Sequence, residues 1–302
     1  MKKLHHIIAA IDFTPYCRNA LREAARRASM DGAQLTAVHV MDEFLVHELK
    51  KALVTDQATI RAEWLERLNK FIADSDIGAG DVNSEVRIGH PFAELVEACG
   101  AHQADLLVMG AKGSQSEAHR IGAIAAKCVR KAPVDVLVVR EDAQGPFKRI
   151  VTCVDFSENS AKAVQCALHL AQEDSASLDC LYVYQSALAM SLDYGGFAPS
   201  LPTNIDPETV ENLRKDLDAF LEPLTRESGN VTVTGLIKER VNIREAILDH
   251  VTEVKADMVV LGTRGKTGLR ELLIGTTAEK IVQNAPCSIL AVKPDGFITA
   301  AD

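Results

Sequence analysis

The stretch RIVTCVDFS at residues 149–157 repeats the pattern of an earlier stretch, HIIAAIDFT at residues 6–14. Each is a short apolar run that ends in aspartate, phenylalanine and a hydroxyl residue. Apolar runs of this length predict buried β-strands. Thr14 followed by Pro15 predicts the first turn of a helix. The chain therefore contains two segments that begin in the same way.

The repetition continues to the end of the chain. ADLLVMG at residues 104–110 matches ADMVVLG at residues 256–262. APVDVLVV at residues 132–139 matches APCSILAV at residues 285–292. Because both the order and the local sequence recur, we interpret the chain as a duplicated domain. We refer to the two copies as the first and second repeats.

Strands and helices alternate in both repeats, which predicts α/β domains with parallel sheets and helices on both faces. We predict domain 1 at residues 1–143 and domain 2 at residues 148–302, each with a five-stranded sheet. One long helix is predicted at Asp42–Ala73. The predicted strands are His6–Ile11, Leu35–Met41, Ser84–Ile88, Asp105–Met109, Val134–Val139, Arg149–Val154, Leu178–Tyr184, Val231–Ile237, Met258–Leu261 and Ser288–Val292.

Composition excludes several classes of function. The formal net charge of −9 argues against broad binding to nucleic acid or to anionic membranes. No apolar run reaches the roughly 18 residues that a membrane span needs, and the apolar start is too short for a signal peptide. The seven cysteines contain no CxxC pair, which indicates reduced thiols and a cytoplasmic protein. The histidines and cysteines show no metal-ligand spacing, so no metal site is predicted.

A glycine motif follows the strand at the end of ADMVVLG. Gly262 and Gly265 are separated by two residues, and Gly275, Thr276 and Thr277 follow where a helical pattern begins. Glycines let the main chain approach an anion closely, and a helix start presents free N–H groups and hydroxyls. This spacing is neither a Walker motif nor GxGxxG, and it predicts a distinct anion-binding loop.

Positive charge near the loop also suits an anion. Arg264, Lys266 and Arg270 outnumber Glu271, and we include Arg264 in the predicted site. Two structural interpretations remain open from the spacing alone. Thr276 could form a capping box with Glu279, and Gly262 could simply end a strand in a turn.

Asp155 also has two interpretations. It could cap the helix that follows it, or it could accept hydrogen bonds from an adenine amino group or a ribose hydroxyl. No nucleophile elbow and no obvious general base for attack on a γ-phosphate is present, so no catalytic residue is predicted. If a nucleoside triphosphate binds here, at most slow hydrolysis is expected.

These motifs together resemble the universal stress protein family. The shared pattern is Gly-x2-Gly-x9-Gly-Ser/Thr after the fourth strand, Val-Asp-Phe-Ser after the first, and an Ala-Pro sequence before the last. The resemblance covers nearly the whole chain, twice. It implies a tandem universal stress protein built of two Rossmann-like (adenine nucleotide alpha hydrolase-like) domains.

The resemblance also implies an ATP site in the second repeat, with or without Mg²⁺. The aspartate after the first strand would contact adenine, assisted by main-chain groups of Val183. The glycine motif would hold the phosphates and ribose. The implied site residues are Asp155, Val183, Gly262, Arg264, Gly265, Gly275, Thr276 and Thr277.

The first repeat departs from the family pattern. Gly110 and Gly113 are present, but one residue fewer separates Gly113 from Gly122, and Ala123 stands where the motif has a hydroxyl. We expect the missing residue to shift the closure of the loop, and Glu117 would face the phosphates. We therefore predict no ATP in the first repeat, or only weak binding.

These observations predict a cytoplasmic, ATP-responsive regulator of the stress response that forms a homodimer in addition to an intramolecular pseudo-dimer. In the family, fifth strands often pair, and Val134–Val139 with Ser288–Val292 could pair within one chain. The alternative function is a scaffold without nucleotide, which binds a protein partner or an apolar ligand through the degenerate first repeat.

Overall fold

The computed structural model describes residues 3–77, 82–112, 121–141, 143, 145–185, 207–265 and 275–297. The chain forms two compact units. The first unit contains Lys2–Gly145 and Ser288–Ala291, and the second unit contains Pro146–Cys287 and Val292–Asp295. A segment of the second repeat thus belongs to the first unit.

Each repeat alternates strands and helices in the predicted way. The first repeat contains β1 (His6–Ile11), α1 (Pro15–Asp31), β2 (Gln34–Met41), α2 (Glu43–Leu53), α3 (Gln57–Ala73), β3 (Val82–Ile88), α4 (Pro91–Ala101), β4 (Leu106–Gly110), α5 (Ala123–Lys131) and β5 (Asp135–Val139). The second contains β6 (Arg149–Val154), α6 (Glu158–Asp174), β7 (Ser177–Tyr184), α7 (Pro207–Thr225), β8 (Val233–Glu239), α8 (Ile243–Glu253), β9 (Met258–Gly262), α9 (Thr276–Asn284) and β10 (Ser288–Val292).

The strands pair in parallel within each repeat, which confirms the predicted α/β fold. In the first unit the strand order is β3-β2-β1-β4-β5, and in the second unit it is β9-β6-β7-β8. The chain passes outward from β1 to β3 and then returns to the other side of β1, and the second repeat does the same around β6. The strand order therefore reverses between β1 and β4 and between β6 and β9, the position where open α/β sheets bind ligands.

Among the described strands of the first unit, one pairing is antiparallel, and it involves β10. Ile289, Leu290 and Ala291 pair with Val138, Leu137 and Val136 of β5. These residues of β10 are buried. The predicted pairing of the two fifth strands within one chain is therefore present.

The single long helix predicted at Asp42–Ala73 is wrong. The structure has two helices, α2 and α3, because Val54 adopts a left-handed conformation with φ 50°. The side chain of Asp56 then accepts a hydrogen bond from the Thr59 N–H at 2.7 Å and caps α3. A β-branched residue at positive φ and a new N-cap interrupt the helical periodicity that the sequence suggests.

The seven cysteines are free thiols, and six of them are buried. Burial raises the pKa of the Cys17 and Cys180 thiols to about 12. Such thiols are almost entirely protonated at neutral pH and react slowly. Among the described residues, no helix combines the length and the apolar character needed to cross a membrane.

The only tryptophan lies in an aromatic cluster of the first unit. The Trp64 ring stacks on the His39 ring with centroids 5.0 Å apart and an interplanar angle of 8°. Phe13 contacts the same histidine at 4.5 Å, and the Arg67 guanidinium lies 4.7 Å from the Trp64 ring. Burial lowers the pKa of His39, and Arg67 lowers it further, although the hydrogen bond to the Ile11 carbonyl opposes both effects.

We predict that Leu290→Ala destabilises the unit that contains Trp64. Leu290 is buried against Leu137, so truncation should cost about 2–5 kcal/mol of unfolding free energy. The measurement is urea unfolding followed by Trp64 fluorescence. Leu53→Ala, at a side chain that is 58% exposed, is the control and should change the free energy by less than about 0.5 kcal/mol. An unchanged Trp64 transition in Leu290→Ala would contradict the pairing.

We also predict that His39 makes stability depend on pH. Its pKa in the folded state is below the ordinary value of about 6.5, so the unfolded state binds the proton more readily. His39 therefore does not reduce the free energy of unfolding above about pH 6.5, and it reduces that free energy progressively as the pH falls below 6.5. Between pH 7.5 and 5.5, wild type should lose more unfolding free energy than His39→Phe, by up to about 1.4 kcal/mol per pH unit. Equal losses in the two proteins would refute this role for His39.

Candidate functional site

The candidate site lies in the second unit at the carboxyl ends of β6 and β9. Asp155 follows the last residue of β6, and Gly262 is the last residue of β9. These two strands are neighbours in the sheet. The strand order reverses between them, which is where a doubly wound sheet is expected to bind a ligand.

The first component of the site is a turn that fixes the Asp155 carboxylate. Its Oδ1 accepts hydrogen bonds from the Ser157 N–H at 3.0 Å and the Ser157 hydroxyl at 2.5 Å. Phe156 between them is left-handed, with φ 61°. Its ring contacts Tyr182 at 4.6 Å and Phe220 at 5.4 Å, which holds the turn in place.

The interpretation of Asp155 as the helix cap is wrong. The N-cap of α6 is Ser157, whose hydroxyl accepts from the Ser160 N–H at 3.1 Å. Asp155 instead orients this serine through Oδ1. Its second oxygen faces the glycine loop, as described next.

The glycine loop comes directly against Asp155. A Cβ added to Gly265 would lie 2.6 Å from Asp155 Oδ2, which is closer than a non-bonded contact allows. A Cβ on Gly262 would lie 2.7 Å from the side-chain nitrogen of Asn159 at the start of α6. Gly265 therefore lies against Asp155 and Gly262 against Asn159, and a side chain at either glycine would collide with these groups.

Gly275 has a different environment. It is the N-cap of α9, with φ −57° and ψ 143°, which any residue can adopt. A Cβ added there meets no described residue within 4 Å. Neither its backbone conformation nor packing against the described residues therefore explains why this residue is glycine. The first N–H groups of α9 lack intrahelical acceptors, as at the start of any helix.

The capping-box interpretation of Thr276 is wrong. Gly275, not Thr276, is the N-cap, and no side chain caps the helix. Thr276 is exposed and Thr277 half-buried at the start of α9. The helix start is instead fixed through its backbone, because the Gly275 N–H donates to the Thr263 carbonyl at 3.0 Å.

Val183 is buried near the end of β7, one residue beyond the last register pair with β6, Val154 with Tyr182. The side chain of Tyr182 lies beside the site, and burial raises its pKa, with further contributions from Asp216 and Asp155. The sequence pattern gave no reason to place Tyr182 or Asp216 near the site.

The main chain of Arg264 also belongs to the site. Its carbonyl accepts a hydrogen bond from the Asn159 side chain at 3.2 Å. Three other charged residues of the predicted loop, Lys266, Arg270 and Glu271, lie outside the described residues. The sequence analysis did not predict Asn159 as a site residue. One signal was present: the two repeats differ at this position, where the first repeat has Tyr16.

The expected shift in loop closure of the first repeat is wrong. The Gly122 N–H donates to the Ala111 carbonyl at 2.8 Å, just as Gly275 donates to Thr263. The shorter loop therefore returns to the same anchor. What differs at the helix start is that Ala123 provides no hydroxyl, while Gly113 and Glu117 lie outside the described residues.

We predict that Gly265→Ala and Gly275→Ala differ sharply in stability. The new methyl group at position 265 would collide with the Asp155 carboxylate and should cost about 1–3 kcal/mol. At position 275 it meets no described residue, and the slightly poorer N-cap is offset by lower unfolded-state entropy, so the change should stay within about 1 kcal/mol. Thermal unfolding measures both. Equal losses would show that the two glycines share one structural role.

Comparisons with known proteins identify the family of the chain. The sequence model of the universal stress protein family matches residues 3–140 and again residues 146–293. Universal stress protein MJ0531 of Methanocaldococcus jannaschii is 32% identical over 147 residues, which cover 49% of this chain and 82% of that protein. Universal stress protein E of Salmonella typhi is 21% identical over 321 residues, covering 100% of this chain and 98% of that protein.

A solved structure shares the fold over both repeats. The crystal structure of a universal stress protein from Archaeoglobus fulgidus superimposes with a TM-score of 0.66 at 16% sequence identity, covering 97% of this chain and 99% of that one. The two matches to the family model span nearly all of the sequence, one in each repeat. The chain therefore belongs to the universal stress protein family and carries two tandem copies of its domain.

Proposed function

We propose that the second repeat binds ATP in the crevice between β6 and β9, and that the chain acts as a nucleotide-responsive regulator in the stress response. The observation that carries this proposal is the glycine at position 275. Neither its backbone conformation nor any described neighbour requires glycine there, and it is the N-cap of α9. A ligand that approaches the backbone closely would supply the missing reason.

The phosphates and ribose would lie against the glycine motif. Gly262, Gly265 and Gly275 allow close approach of the main chain, and Thr276 and Thr277 present hydroxyls at a helix start. A side chain on any of the three glycines would either collide inside the protein or enter the space in front of α9. The Arg264 side chain would add positive charge.

The base would lie at the opposite end of the site. The Asp155 carboxylate, held by Ser157, would accept a hydrogen bond from the adenine amino group. Main-chain groups of Val183 would complete recognition of the base edge. A fixed carboxylate favours a base that presents a hydrogen-bond donor. Adenine presents its amino group, whereas a purine with a keto group at that position presents an acceptor.

We further propose that ATP acts as a signal and not as the substrate of a fast reaction. ATP, with or without Mg²⁺, would bias the protein toward a state that a partner recognises. Hydrolysis, if measured, should be slow. Action in the cytoplasm and assembly into a homodimer are part of the same proposal.

Isothermal titration calorimetry with ATP, with and without Mg²⁺, tests the proposal. Wild type should bind one ATP per chain. Asp155→Ala should weaken binding about tenfold to a hundredfold, because it removes an acceptor that is charged. Asp12→Ala is the matched control in the first repeat and should leave the affinity unchanged.

The outcomes separate the parts of the proposal. Failure of wild type to bind millimolar ATP would refute nucleotide binding. Binding of two ATP molecules, one of them sensitive to Asp12→Ala, would refute only the assignment of the first repeat as inactive. Equal affinity of Asp155→Ala and wild type would refute the placement of the base.

A scaffold role is the second candidate, and one observation favours it. Helix α2 of the first repeat and the residue after it expose large apolar side chains to solvent: Phe44 is 73%, Leu53 58% and Val54 90% exposed. Exposed apolar groups of this size are common at protein interaction sites. A chain that acts only as a scaffold would bind no ATP in the titration above.

A further inference from the structure

We propose that Asn159 is a positioning residue that aims the Gly265 N–H at the bound phosphates. This inference rests on the proposed ATP site and assigns to it a residue outside the glycine motif. Asn159 lies in the first turn of α6 and is 7% exposed. A Cβ on Gly262 would strike its amide, so the side chain lies against the loop.

The Asn159 side-chain amide holds two carbonyl groups. Its Nδ2 donates to the Arg264 carbonyl at 3.2 Å and to the Val292 carbonyl at 3.3 Å. These acceptors lie in the glycine loop and at the end of β10. Because both partners are acceptors, the amide nitrogen must face them, and this determines the orientation of the amide group.

The hydrogen bond to Arg264 determines the direction of the next N–H. In a trans peptide, the carbonyl of one residue and the N–H of the following residue point in opposite directions. Asn159 draws the Arg264 carbonyl toward the buried start of α6. The Gly265 N–H must then point away from α6, and Gly265 is exposed. An exposed glycine N–H beside the crevice is a suitable donor to a phosphate oxygen.

The Asn159 side chain should contribute little to the stability of the fold. Asn159 Oδ1 is buried and accepts no hydrogen bond from any described residue. An unsatisfied buried acceptor is unfavourable for folding, at about 1–3 kcal/mol. The Val292 carbonyl also accepts from the Thr263 N–H at 3.0 Å and the Thr263 hydroxyl at 3.2 Å, so it would keep partners without Asn159. Removal of the amide should therefore cost little stability.

The first repeat has no asparagine at the position of Asn159 to donate these two hydrogen bonds. Tyr16 occupies the position of Asn159, four residues after the aspartate in both repeats. A Cβ on Gly110, which corresponds to Gly262, would meet the main chain of Tyr16 at 3.1 Å rather than a side-chain amide. Tyr16 therefore provides a matched position at which a substitution should leave ATP binding unaffected.

The test compares ATP affinity with stability in the full chain. Asn159→Ala should weaken ATP binding about tenfold, while its melting temperature stays within about 3 °C of wild type. Asn159→Asp places a carboxylate against two carbonyl oxygens and should weaken binding more strongly. Tyr16→Ala should bind ATP as wild type does. In wild type, ATP should shift the Gly265 amide resonance in ¹⁵N–¹H spectra, and in Asn159→Ala the shift should be reduced at saturating ATP.

Each result either supports or overturns the assignment. If wild type binds ATP and Asn159→Ala binds within twofold of it, the positioning role is wrong. If Asn159→Ala loses affinity only in parallel with a large fall in melting temperature, or keeps the wild-type Gly265 shift, its role is structural and the proposal fails. If wild type binds no ATP, the proposed function fails and this inference fails with it.

Discussion

The Asp155 carboxylate is the point on which the second repeat's site depends. One oxygen accepts both the N–H and the hydroxyl of Ser157, and the other lies against Gly265. This links the end of β6, the start of α6 and the glycine loop through a single side chain. The turn requires a left-handed Phe156, which costs roughly 1–2 kcal/mol and is tolerated because the ring packs against Tyr182 and Phe220. Packing of the Phe156 ring thus helps to hold the Asp155 carboxylate in position.

The two repeats share their backbone and differ in their side chains. Phe13 is left-handed like Phe156, and both helix starts are anchored by a glycine N–H on the carbonyl that follows the fourth strand. Around these common anchors, the chemistry has diverged. The first repeat carries Tyr16 and Ala123, while the second carries an amide and hydroxyls at the corresponding positions. A duplicated copy can change its site residues and keep its fold, because the anchors are backbone hydrogen bonds.

Sequence predicted the fold well because burial on both faces of a parallel sheet leaves continuous apolar runs that recur in both copies. Prediction from the sequence failed where one local pattern is compatible with two different structures. Helical periodicity runs through Val54, yet that residue is left-handed, and Thr276 with Glu279 has capping-box spacing, yet Gly275 is the cap. Asn159 was not predicted because its partners, Arg264 and Val292, lie more than a hundred residues away in sequence. Contacts of that kind are determined by packing of the whole unit.

The pairing of β5 with residues 289–291 has a consequence for synthesis of the protein. When the first repeat has left the ribosome, the first unit still lacks one of its strands, because that strand is formed by residues 288–291. At about 5–20 residues per second, translation of the intervening segment takes roughly 7–30 s. During that interval β5 presents an unpaired, apolar edge, the kind of surface that recruits other strands or a chaperone. The last strand of the first unit can therefore be added only after most of the second repeat has been synthesised.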